Sequence, residues 1–210
     1  MKKILLSMAL VFAASSAQAD IISGGLTLQG NVNAPMTFSD PGWGAVSGLP
    51  EGAYVNGDAS SGTLYANRSG TFVATYLGQI ASFSNMQLSG TTLNDGVNNS
   101  SIRSTASVDV TAGTVVNFSF VDGKDGAVFA NGMTNTDVRG IAYFANTYGL
   151  VDNNGDLFDF LIGYNDSADI NADYDDYVVG VNNVPVPAAL PLMASALGMF
   201  GVARRRNKKA

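Results

Sequence analysis

The chain has 210 residues with no histidine, no cysteine and a single glutamate, Glu51, at a formal net charge of −6. Imidazole and thiolate catalysis, nitrogen or sulfur metal sites and disulfide staples are thereby excluded, which leaves carboxylate, hydroxyl and amide chemistry. The average charge conceals a split. Lys2 and Lys3 stand at one end and Arg204, Arg205, Arg206, Lys208 and Lys209 at the other, so residues 20–183 keep four basic side chains against all 17 acids, a balance hostile to nucleic acid.

In chain order, Lys2-Lys3 precede an apolar run from Ile4 to Ala14 and a closing Ala17-Gln18-Ala19. Charged, apolar and small-residue parts in this order form a secretory signal peptide over residues 1–19, with signal peptidase expected to cut after Ala19. The run is short for a permanent span. Residues 20–183 then form one domain of ordinary size outside the cytoplasm.

Within that domain no apolar period of 3.6 residues persists for three turns, while short alternating runs recur. Strands are expected at 26–32, 71–77, 80–83, 127–130, 141–145, 157–162 and 177–181, around Val108 and Val110, and over 115–121. In the last of these, Val116, Phe118 and Phe120 share one face. Clusters such as Asp122-Gly123-Lys124-Asp125-Gly126 and Asp152-Asn153-Asn154-Gly155-Asp156 mark turns between them. This pattern predicts an all-β fold, an antiparallel β-sandwich or jelly roll with little helix. Residues 33–69 read instead as long loops with one or two weak strands. They hold the lone tryptophan, Trp43, which either plugs one end of the fold or stacks on a sugar ring.

The segment 156–181 reads as strand, acidic loop, strand. Phe158, Phe160 and Ile162 lead in, and Tyr177 and Val179 lead out. Between them Asp166, Asp169, Asn171, Asp173, Asp175 and Asp176 crowd oxygen-bearing side chains together, which is repulsive unless they are solvated or share a cation. Calcium, with six to eight oxygen ligands, is the expected ion, and a solvated turn whose Asp side chains cap the backbone is the alternative. Asp169, Asn171 and Asp173 keep the first spacings of an EF-hand, but Tyr174 replaces its glycine and Gly180 its bidentate glutamate, so that motif is rejected.

The tail begins at Val184-Pro185-Val186-Pro187-Ala188, continues without charge to Ala203 and ends in Arg204-Arg205-Arg206. Counted from Val184, the uncharged part approaches the length of a transmembrane helix, and the basic stop places its far end in the cytoplasm. Motif, span and arginines together resemble the PEP-CTERM sorting signal of Gram-negative bacteria in its VPLPA-like form, with Val186 where the commonest motif has Glu. The resemblance implies transient residence in the inner membrane, cutting by an exosortase near the proline motif, and delivery to the cell surface or an exopolysaccharide matrix; a permanent C-terminal membrane anchor is the alternative. Asp173-Tyr174-Asp175-Asp176, with Asp166 upstream, is similar to the acidic segment of the DUF4114-type pattern. That likeness implies a surface β domain.

The expectation is therefore an exported, non-enzymatic protein of the cell surface or biofilm matrix, stabilised by calcium and associated with exopolysaccharide. A glycan-binding module is the alternative, with Trp43, Tyr143, Tyr148 and Tyr164 as stacking platforms. A glycoside hydrolase working through two carboxylates is the third reading.

Overall fold

The computed structural model describes residues 20–30, 62–78, 84–93, 103–133, 139–146, 149–166, 174, 176–186, 193 and 199. Met193 and Met199 have helical backbone; every other regular element among the described residues is a strand. In chain order these are β1 (Ile21–Ser23), β2 (Leu26–Gln29), β3 (Thr63–Ala66), β4 (Gly70–Gly78), β5 (Asn85–Leu88), β6 (Thr91–Leu93), β7 (Thr105–Val110), β8 (Phe118–Val121), β9 (Val128–Ala130), β10 (Gly140–Phe144), β11 (Phe160–Asn165) and β12 (Tyr177–Pro185). They form three sheets ordered β1-β2-β3, β10-β11-β12-β4-β7 and β6-β5-β8-β9. Every pairing is antiparallel.

Side chains two residues apart point to one face of a strand, and these inward faces meet in a single core. Leu26 and Leu28 of β2, Leu64 of β3, Phe72 and Tyr76 of β4, Phe118 and Phe120 of β8, Ile162 and Tyr164 of β11, and Tyr177 and Val179 of β12 all belong to it. Aromatic rings run through its middle. Phe120 stacks on Tyr164 at 5.3 Å and meets Tyr177 edge-on at 5.7 Å, while Phe72 lies parallel to Phe118 at 6.1 Å. Offset and edge-to-face pairs of this kind add about 0.5–1.5 kcal/mol each beyond their buried area. Asn131 joins strands of different sheets. Its amide oxygen accepts from the Leu64 amide at 2.8 Å and the Tyr143 hydroxyl at 2.7 Å, and its nitrogen donates to the carbonyls of Leu64 and Val116.

The five-stranded sheet is covered on its second face as well. Ala142, Phe144, Leu161 and Val178, which alternate with core residues, are buried together with Leu150 and Phe158. Strands buried on both faces read as unbroken apolar runs, which is why β10, β11 and β12 show no clean alternation. The covering segment is the turn between Val151 and Leu157, which bridge one another. Asp152 closes that turn by accepting from the amides of Asn154 at 2.7 Å and Asp156 at 3.0 Å. Phe158 then lies on Gly180, where an added Cβ would come within 2.5 Å of the ring.

Several boundaries differ from the sequence expectations. β2 ends at Gln29 rather than Val32, and β11 begins at Phe160 and runs to Asn165 rather than occupying 157–162, because Leu157 belongs to the covering turn. β5 and β6 were not anticipated; their short alternation is diluted by Asn85, Gln87 and two threonines. β12 continues past Val181 to Pro185, two residues beyond the expected domain limit of 183. Val184 and Pro185 are thus strand residues and not the start of the expected helix. The expected strand 80–83 and the signal peptide lie outside the described residues, and no helix among the described residues is long and apolar enough to cross a membrane.

Candidate functional site

β10, β11 and β12 are neighbours, with Gly140 opposite Asn165 and Tyr164 opposite Tyr177. That register gathers Arg139, Asp166 and Asp176, each just beyond a strand end, at one end of the sheet. The turn after β8 brings Asp122, Lys124 and Asp125 to the same place. Lys124 Nζ lies 3.0 Å from Asp166 Oδ1, and the Asp166 amide donates to Asp176 Oδ2 at 2.7 Å. Arg139 contacts Asp125 Oδ2 at 2.8 Å and Asp122 Oδ2 at 3.7 Å, and its guanidinium covers the Phe129 ring at 5.8 Å.

The electrostatics are lopsided. Asp122, Asp125, Asp166 and Asp176 face two cations, Lys124 and Arg139. The Asp166 side chain is 2% exposed and that of Asp122 1%. At this end the buried Asp122 Oδ2, Asp166 Oδ2, Tyr164 hydroxyl and Arg139 Nε have no hydrogen-bond partner. Burial pushes the Tyr164 hydroxyl well above its ordinary pKa, and the charges of Asp122 and Asp166 push it further in the same direction. The hydrogen bond to Asp166 raises the Lys124 ammonium, with Asp176 and Asp122 adding to it. An excess of buried negative charge with orphaned oxygens favours a cation.

Of the six acidic-loop candidates, the structure brings Asp166 and Asp176 together; Asp169, Asn171, Asp173 and Asp175 lie outside the described residues. Among the described residues no group of three or more carboxylates is disposed to hold a metal ion. Asp122, Lys124 and Arg139 were missed as site residues. Asp122-Gly123-Lys124-Asp125-Gly126 was read as a turn, and it is one: Asp122 Oδ1 accepts from the Lys124 amide at 2.8 Å. The same turn delivers its charges to a strand end far away in sequence, for which no local pattern exists.

Ala17, Ala19, Pro187, Ala188, Arg204, Arg205, Arg206, Trp43 and Tyr148 lie outside the described residues. Two of the proposed sugar platforms are placed: Tyr143 is 1% exposed and Tyr164 0%. Neither ring is open to a sugar face, which removes them as stacking residues; both were apolar-run positions that the core had first claim on.

The opposite end of the sheet is built differently. Asp159 Oδ2 accepts from the amides of Asn183 at 3.0 Å and Gly25 at 3.2 Å. Asn183 donates to the carbonyls of Gly25 and Arg68, each at 2.8 Å, and Arg68 returns a bond to the Asn183 carbonyl. Burial raises the Asp159 carboxyl above its usual range, against the opposing pull of the two amides and Arg68. Beside this lock is a cavity of about 400 Å³ lined by Ile21, Ile22, Asn146, Leu157 and Asp159. Compared with known proteins, the chain matches no family model, no curated protein and no solved structure.

Proposed function

We propose that the chain is an exported, non-enzymatic β-sandwich domain that acts at the cell surface or in the exopolysaccharide matrix. In this reading an exosortase-type sorting tail delivers it and calcium stabilises its acidic end. The observation that carries the reading is the place of β12. This strand lies between β11 and β4, is buried from Tyr177 to Asn183, and passes directly into Val184-Pro185, the first residues of the sorting motif. Folding and delivery thus share one segment, as suits a domain whose task depends on where it is displayed. The calcium component is supported by the unpartnered Asp166 Oδ2 and by the Asp166–Asp176 bond, which closes the base of the loop bearing the remaining oxygen donors.

The test is cosedimentation of the purified protein with extracellular polysaccharide of the source organism, with calcium and with EDTA. Retention on the polysaccharide supports a matrix role; full recovery in the supernatant under both conditions overturns it. Calcium is checked separately by thermal melting, since a ligand bound by the native state must raise the melting temperature by mass action. The expected rise is lost in Asp166→Asn, and identical melting in calcium and EDTA removes the metal from the proposal.

A further inference from the structure

β12 keeps strand geometry through Pro185, paired with Thr71 and Gly70 of β4. The uncharged chain that follows, residues 186–203, is eighteen residues long and stops at Arg204. As a helix rising about 1.5 Å per residue it reaches about 27 Å, just short of the roughly 30 Å of bilayer hydrocarbon. A span made from this chain therefore uses every residue after Pro185. On that reading no linker separates the last strand from the membrane.

The same end of the body presents an apolar surface. Ile22 is 68% exposed, Leu157 62%, Val184 46% and Ile21 37%. Leu157 and Asp159 border both the cavity lined by Ile21 and Ile22 and a second depression lined by Val184, Pro185 and Arg68, so these side chains surround the point where the chain leaves β12. Arg68 and Asp159 are turned to internal bonds, so the outward contacts around the exit are these apolar side chains together with Asp156.

We propose that this end of the domain docks on the lipid bilayer while the tail is in place, with Ile22 and Leu157 entering the headgroup layer. The inference rests on the reading that residues 186–203 cross the membrane. It fixes an orientation: β11 has six residues, so at about 3.3 Å each the acidic end lies roughly 20 Å farther out, facing away from the bilayer. Asp152 and Asp156 beside Leu157 make the contact one with zwitterionic rather than anionic lipid.

Because the chain has no cysteine, single labels are straightforward. Full-length Ile22→Cys, Leu157→Cys and, at the acidic end, Gly123→Cys carry a polarity-sensitive fluorophore in phosphatidylcholine vesicles containing a lipid-borne quencher near the headgroups. Labels at positions 22 and 157 are expected to shift to the blue and lose intensity, while the label at 123 keeps its emission in water. Resistance to alkaline carbonate extraction is scored on the same samples. Chain that resists extraction with unquenched labels at 22 and 157 overturns the docking, as does self-quenching between copies without lipid quenching, which assigns the surface to a second copy. Chain released by carbonate refutes the spanning reading itself, a result separable from the other two.

Discussion

The two ends of the five-stranded sheet solve the problem of buried polar groups in opposite ways. At the chain exit, Asp159, Asn183 and Arg68 spend their hydrogen bonds on backbone groups of neighbouring strands. At the other end Asp122 and Asp166 are paired with Arg139 and Lys124, and one oxygen of each is left without a hydrogen-bond partner. The first arrangement ties neighbouring strands together through backbone bonds and leaves the buried Asn183 Oδ1 without a hydrogen-bond partner. The second keeps an excess of negative charge, since two ammonium or guanidinium groups do not neutralise four carboxylates.

The largest expected effect breaks the locked end. Phe158 is 4% exposed and lies on Gly180, so Phe158→Ala empties the space beneath the covering turn and should cost about 3–5 kcal/mol. Urea melts read the loss, and its size should be the same at low and high salt. Asn183→Ala follows at about 1–3 kcal/mol, because the carbonyls of Gly25 and Arg68 lose their donor. An unchanged midpoint for Asn183→Ala would mean that water replaces the amide and that this end is not locked.

These two residues also show what a sequence can and cannot reveal. β4 and β8 were readable because Phe72, Ala74 and Tyr76, and Phe118 and Phe120, recur at the period of two that burial of one face demands, and β12 because residues 177–181 form a short apolar run. β5 and β6 were not, since three or four residues give too few repeats to distinguish from a polar loop. Of the acidic segment, Asp166 and Asp176 stand at one end of the sheet. The partner of Asp166, Lys124, stands in the turn after β8 of another sheet, brought to it by tertiary packing rather than by spacing. Asn183 was expected only as the last residue of the domain; its side-chain amide instead donates to the carbonyls of Gly25 and Arg68, a role set by the β1–β2 turn reaching β12.

A smaller perturbation sharpens the acidic end. Lys124→Met removes the counter-charge from Asp166, but the lysine side chain is 54% exposed and water can take its place. The expected cost is about 1–2 kcal/mol. In contrast to Phe158→Ala, the loss should shrink with added salt, and calcium should recover more of it than an equal ionic strength of sodium. A deficit in melting temperature that is insensitive to both would show that Lys124 acts through packing of its stem and not through charge.

The smallest effect is in pH, and the two ends should carry opposite signs. Burial raises the Asp159 carboxyl, so the folded state holds that proton more tightly than the unfolded chain does. Its contribution to stability is greatest below the ordinary carboxyl pKa of about 4 and declines as pH rises through the higher folded value. Asp125 is shifted the other way, lowered first by the Ala127 amide and then by Arg139. Its contribution is present above the ordinary value and is lost as pH falls through the lower folded one. Melting temperatures taken from about pH 3 to pH 6 should therefore separate the ends. Asp159→Asn makes the curve rise more steeply with pH by deleting the opposing slope, whereas Asp125→Asn flattens its acid limb. If both variants shift the curve in the same direction, the ends do not differ in how they hold charge, and the contrast between a locked end and a cation-accepting one fails.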